Sequence, residues 1–164
     1  MSTTPTPLSA AAGPALPSTM SAVVGHRYGS TDGLAVEEVP TPAVGHDEVL
    51  IEVVAAGVDR GVHHLMTGTP YLVRLAGFGV VAPKQPILGM DVAGRVVEVG
   101  AAVERFAPGD AVMGIASGSF AEYAVASQDK LAAIPEGTTF EHAAAATISG
   151  ITALQALTDV GRVV

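Results

Sequence analysis

The sequence predicts a mainly β domain with short helices, of barrel or sandwich type, closed by a helical segment at its end. Three observations lead there. From residue 22 onward, short apolar runs are separated by Gly and Pro at close intervals, the spacing of strands and turns. Hydrophobic residues make up 49% and charged residues 15% of the 164, enough for one packed core. Past residue 137 the pattern becomes Ala-rich and opens on a capping box.

The elements follow in order. Residues 1–20, MSTTPTPLSAAAGPALPSTM, are rich in Ser, Thr, Pro and Ala and lack the basic and apolar regions of a secretion signal. They bury too little apolar surface to order themselves, so a disordered tail is expected there, with the domain spanning 21–137. Ala22–Tyr28 and Leu34–Val39 alternate around the turn residues Ser30-Thr31-Asp32-Gly33. Glu48–Ala56 reads as a longer strand, and Gly57–Met66 as a short helix stopped by Gly68. Residues 69–86 carry Pro70, Pro83 and Pro86 and read as irregular. Strands are expected again at Asp91–Val99, Ala111–Ile115, Phe120–Ala126 and Leu131–Ile134. In the segment 138–164, the box Thr138-x-x-Glu141 opens a helix to about Thr147, and a second runs from about Ile151 to Asp159 before Gly161.

Composition excludes several functions. Net charge is −8, pI is near 4.9 and the basic residues are scattered, so no nucleic-acid partner is expected. The absence of cysteine removes disulfides, thiolate zinc sites and Cys nucleophiles, and fits a reducing, cytoplasmic compartment. No window approaches the roughly 18 uncharged apolar residues of a membrane span, so no membrane partner is expected. Gly77-Phe78-Gly79-Val80-Val81-Ala82 matches the dinucleotide fingerprint, but Pro83 and Pro86 forbid the helix that would have to follow. His63 and His64 point about 100° apart on a helix, and the remaining histidines show no ligand spacing, so no metal site is expected.

Two acids stand out. Asp91 lies among apolar and glycine positions in PILGMDVAGRVVEVG, where a carboxylate must be paired, hydrogen-bonded or neutral. The plain alternative is a strand-end Asp capping a loop. Asp59 raises the same question after Glu48–Ala56, and with Tyr71 the two acids would line one cleft.

An ordered set of motifs then carries a resemblance. Pro40-Thr41-Pro42, Gly45-His46-Asp47-Glu48-Val49-Leu50-Ile51 and Ala55-Ala56-Gly57-Val58 come first. Gly89-Met90-Asp91-Val92-Ala93-Gly94, Pro108-Gly109-Asp110, Gly118-Ser119-Phe120-Ala121-Glu122-Tyr123 and Gly150-Ile151-Thr152-Ala153 follow. Together, over about 21–160, they resemble the medium-chain dehydrogenase/reductase superfamily, and most closely its zinc-free quinone oxidoreductase and zeta-crystallin-like branch. The resemblance implies a GroES-like, partly open β-barrel followed by the first linker helices of a Rossmann domain that the chain does not contain. It implies hydride transfer from NADP(H) to a small molecule bearing a conjugated C=C, a quinone or a carbonyl.

By the same resemblance Met90 stands where zinc enzymes have a histidine ligand and Asp59 where they have a cysteine, so no metal is expected. Asp59 and Tyr71 become the expected catalytic residues; Asp59, Thr147 and Thr152 the cofactor contacts; Met90 and Asp91 the substrate-pocket residues. Zinc-free relatives commonly carry Asn at the position of Asp59, and an ionised Asp lacks that amide's donor. The chain is expected to be truncated before its nucleotide-binding domain and inactive alone, its partner being that missing domain or a homo-oligomer. The alternatives are a non-catalytic GroES-like interaction module or a non-functional gene fragment.

Overall fold

The computed structural model describes residues 16–72 and 74–163; most of the expected tail, residues 1–15, lies outside them. Strand β1, Thr19–Val24, pairs antiparallel with β2, Ala35–Pro40, Thr19 standing opposite Pro40 and Val24 opposite Ala35. β1 therefore begins inside the segment expected to be tail, and Met20 is buried at 2% exposure. The strand also stops earlier than its alternation suggests. Leu88 N–H donates to the Val23 carbonyl and Gly25 N–H to that of Pro86, after which residues 25–34 leave as a long loop holding one 3-10 turn, Thr31–Gly33.

The main sheet contains β3, Glu48–Ala56; β4, Asp91–Val99; β5, Ala111–Ile115; β6, Tyr123–Ser127; and β7, Leu131–Ala133. All pairings are antiparallel, in the order β6-β3-β4-β5-β7. β3, β4 and β5 keep the limits read from the sequence. β6 is shorter because its expected first residues pair elsewhere: Val23 N–H donates to the Phe120 carbonyl, and Ala22 bridges Ala121. The architecture is mostly β with short helices, as expected of a GroES-like domain.

Val49, Ile51, Val92, Val96, Val112 and Leu131 fill the core inside this sheet. Because strand side chains alternate, Asp91, Ala93 and Arg95 project from the opposite face of β4. That face meets helix α2, Phe140–Gln155, whose Ala143 and Ala144 pack against Ala93. Methyl groups on both sides let helix and sheet backbones approach closely.

Helix α2 is one element where two were expected. Gly150 sits inside it at a cost of about 1 kcal/mol, which the surrounding Ala, Ile and Leu outweigh, and the helix ends in a wide turn over Ala156–Val160. Its cap is Thr139, one residue later than the expected box: Thr139 Oγ1 accepts from His142 N at 3.3 Å. Glu141 is held below the usual carboxylate range by its own amide and by the Thr139 side chain.

Candidate functional site

The register of β3 against β4 brings the end of one strand beside the start of the other, Ala56 standing opposite Val92. Asp59 and Asp91, far apart in sequence, are thereby neighbours across this junction. Asp59 is the N-cap of helix α1, Arg60–Thr67, and its Oδ1 accepts from Val62 N at 2.9 Å. Asp91 is 2% exposed, and its Oδ1 accepts from the backbone amide of Ile148, in the middle of α2, at 2.8 Å. Burial is the largest influence on Asp91 and pushes its carboxyl above the usual range; the Ile148 hydrogen bond opposes this, and the nearby Asp59 charge reinforces it.

Glycine makes the junction possible. A Cβ at Gly57 would lie 2.8 Å from the Ala144 carbonyl oxygen and 2.8 Å from Asp91 Cβ, so helix, strand end and turn converge where no side chain fits. A Cβ at Gly61 would lie 3.1 Å from Asp59 Oδ2 and 3.2 Å from Met90 Cε. The Asp59 carboxylate and the Met90 methyl group thus meet beside the first turn of α1.

Met90 also lines a groove of about 540 Å³. Tyr28, Leu65, Phe78, Leu88 and Ile115 contribute to its mainly apolar wall, and Lys84, Gln85 and Ser117 supply polar groups. Tyr28 fastens that wall: its hydroxyl donates to the carbonyls of Phe78 at 3.1 Å and Gly79 at 2.7 Å. The Arg74 guanidinium lies over the Tyr28 ring, 4.3 Å from its centroid, and Arg74 Nε donates to the Gly68 carbonyl. Gly68 ends α1 at φ 63°, with the Tyr28 ring packed against it.

The structure thus gathers Asp59, Met90 and Asp91 but separates their faces. Met90 opens into the groove, whereas the carboxylate of Asp91 is turned under α2. Tyr71 lies on the surface, 72% exposed, with Arg74 over its ring at 4.9 Å. Thr147 is buried and donates to the Ala143 carbonyl, and it lines a second apolar groove between α2 and the β5–β7 edge. Thr152 is exposed and donates to the Ile148 carbonyl. Both hydroxyls are spent on their own helix. Sequence reasoning gave Tyr28 no role, and only the neighbouring Gly68, a helix stop, marked where its ring would have to fit.

Donor chemistry limits what else the site holds. A thioether and one carboxylate are the side-chain donors beside Gly61, and among the described residues no group of three or more His, Asp and Glu is placed to share a metal ion. The Gly77–Ala82 segment runs into a bend rather than a helix, so it offers no row of amides to a pyrophosphate.

Comparison with known proteins agrees with this architecture. A quinone-oxidoreductase homolog of Spinacia oleracea chloroplasts is 37% identical over 138 residues, covering 80% of this chain and 39% of the spinach protein. The solved quinone oxidoreductase of Coxiella burnetii superposes with a TM-score of 0.77 at 31% identity, covering 87% of this chain and 45% of that one. Escherichia coli quinone oxidoreductase, solved in complex with NADPH, superposes with a TM-score of 0.72 at 27% identity, over 85% of this chain and 41% of that one. The chain therefore spans less than half the length of these relatives. Residues 45–136 match the alcohol dehydrogenase GroES-like domain, and the chain belongs to that family in its quinone-oxidoreductase-like form.

Proposed function

We propose that this chain is the substrate-binding half of a zinc-independent, NAD(P)H-dependent oxidoreductase acting on quinones or electron-poor alkenes and carbonyls, and that alone it does not turn over. The observation that carries the reading is the mainly apolar groove that Met90 lines. A flat conjugated ring gains from burial against Tyr28, Phe78, Leu88 and Ile115, and the groove holds it in one orientation. In its wall Met90 presents a thioether, which neither donates a proton nor binds zinc well. Similarity to the spinach, Coxiella and Escherichia coli proteins supports a quinone acceptor, and the last, solved with NADPH, supports NADPH as hydride donor.

Asp59 and Asp91 act in this reading through the frame. Asp59 sets the start of α1 beside Met90, and Asp91 seats the helix that follows the sheet. Thr147 and Thr152, on the helix that follows the sheet, are the residues this reading assigns to a nucleotide-bearing lobe. Cytoplasmic residence goes with this reading, since that compartment supplies reduced nicotinamide.

Calorimetric titration of the purified chain separates the two parts of the proposal. A soluble naphthoquinone is expected to bind, and to bind more weakly when Met90→Asp puts a charge in the groove wall. Submicromolar NADPH binding, or steady NADPH consumption by the chain unaided, would overturn the claim that it lacks a competent cofactor site.

A further inference from the structure

Between Asp59 and Asp91 the sequence holds no acid, although acids outnumber Lys and Arg by 16 to 8 in the whole chain. Within that span the loop after α1 exposes six large apolar side chains: Tyr71 at 72%, Leu72 at 73%, Leu75 at 72%, Phe78 at 46%, Val80 at 63% and Val81 at 88%. Its cations are Arg74 and Lys84, one within the apolar run and one just beyond it. Among the described residues neither forms an ion pair. The loop is also held in shape: Tyr28 O–H and Lys84 N–H both donate to the Phe78 carbonyl, and Arg74 is stacked between the Tyr28 and Tyr71 rings.

We propose that Tyr71, Leu72, Leu75, Phe78, Val80 and Val81, with Arg74 and Lys84, form a docking surface for an anionic lipid bilayer, the apolar side chains entering the headgroup boundary while Arg74 and Lys84 meet lipid phosphates. Exposed aliphatic and aromatic side chains flanked by unpaired cations are the combination that partitions to such an interface. A local positive patch works on a chain of net charge −8 because ionic screening, with a Debye length of about 8 Å in physiological salt, separates it from distant acids. The other exposed apolar face, Ile151, Leu154, Leu157 and Val160 on α2 and its final turn, carries Asp159 and no cation, and suits a protein neighbour instead. Phe78 and Lys84 belong to both the loop and the groove wall, so a docked loop would set the groove mouth at the lipid surface. The inference stands independently of which acceptor the groove takes.

Vesicle co-sedimentation of the purified chain tests it, with phosphatidylcholine vesicles compared against mixed phosphatidylcholine–phosphatidylglycerol vesicles. The mixed vesicles are expected to bind on the order of tenfold more protein, with the excess lost at high salt. The pair Leu75→Asp with Val81→Asp should abolish sedimentation, and Lys84→Gln should reduce the preference for anionic lipid. Leu154→Asp with Val160→Asp should leave both unchanged. Circular-dichroism melts confirm that each variant folds, and the exposed Lys84→Gln exchange keeps the test open if the double loop variant does not. Absence of sedimentation, equal binding to neutral vesicles, or loss confined to the α2 pair would overturn the proposal. So would a concentration-dependent dimer that Val81→Asp dissolves, which would assign the loop to a second copy of the chain.

Discussion

The carboxylate of Asp91, at the first residue of β4, accepts the backbone amide of Ile148 from the middle of α2 at 2.8 Å. A buried acid thereby fastens a helix to a sheet where the two faces are otherwise small and apolar.

This contact has a pH signature. Burial raises the Asp91 carboxyl, so ionising it costs more in the folded than in the unfolded chain. Its contribution to stability is therefore greatest at low pH and is lost as pH rises from the usual carboxylate range through Asp91's raised value. Asp91→Asn keeps an acceptor for Ile148 and removes the charge. Denaturant unfolding at several pH values should show that variant gaining on the wild type across this window, then holding a constant lead or parity at neutral pH. Asp91→Ala, which removes the side-chain acceptor of the Ile148 amide, should lose about 1–3 kcal/mol at low pH, the difference narrowing as pH rises through the same window. A constant difference between wild type and Asp91→Asn throughout would refute the linkage.

Gly57 tests the same junction sterically. An added methyl would press on the Ala144 carbonyl and on Asp91 Cβ, both 2.8 Å away. Gly57→Ala should destabilise the fold by about 1–3 kcal/mol and speed hydrogen exchange at the Ile148 amide. Unchanged exchange there would show that the helix does not rest on this contact.

At Asp59 the expected loss is that of a helix cap. Asp59→Ala should cost about 1 kcal/mol, while Asp59→Asn, which still accepts from Val62 N–H, should cost little. Because the Asp59 charge also raises Asp91, Asp59→Asn should move the Asp91 titration, followed by carboxyl NMR, toward the ordinary range. An unmoved titration would count against their proximity.

The Gly68–Tyr28 contact predicts a larger effect. Gly68→Ala places a side chain in the left-handed region, costing about 1–2 kcal/mol, and pushes into the Tyr28 ring. Thermal melts should show it less stable than wild type by more than Tyr28→Phe, which keeps the ring and gives up only the bonds to Phe78 and Gly79. The reverse order would mean that the hydroxyl, and not the packing, holds the loop.

Local signals located β3, β4 and β5 because alternating apolar residues and flanking Gly and Pro act within a few residues of where they stand. They located α1 for the same reason, since its Gly68 stop is a local backbone requirement. They failed where a distant segment competes for the backbone. Phe120 and Ala121 left β6 to join β1, residues 25–28 left β1 for the loop, and Gly150 stayed inside a helix supported by its helix-forming neighbours.

Among the site residues, the sequence by itself determined that Asp91 must find a partner or stay neutral, because an ionised carboxylate in an apolar strand is too costly alone. Only the tertiary structure decided that the partner is a backbone amide of a helix far along the chain, and that Asp91 consequently faces away from the groove that Met90 enters. The reason is physical: alternation along a strand tells which residues share a face, but what covers each face is settled by strand register and helix packing, which join residues that no local pattern connects.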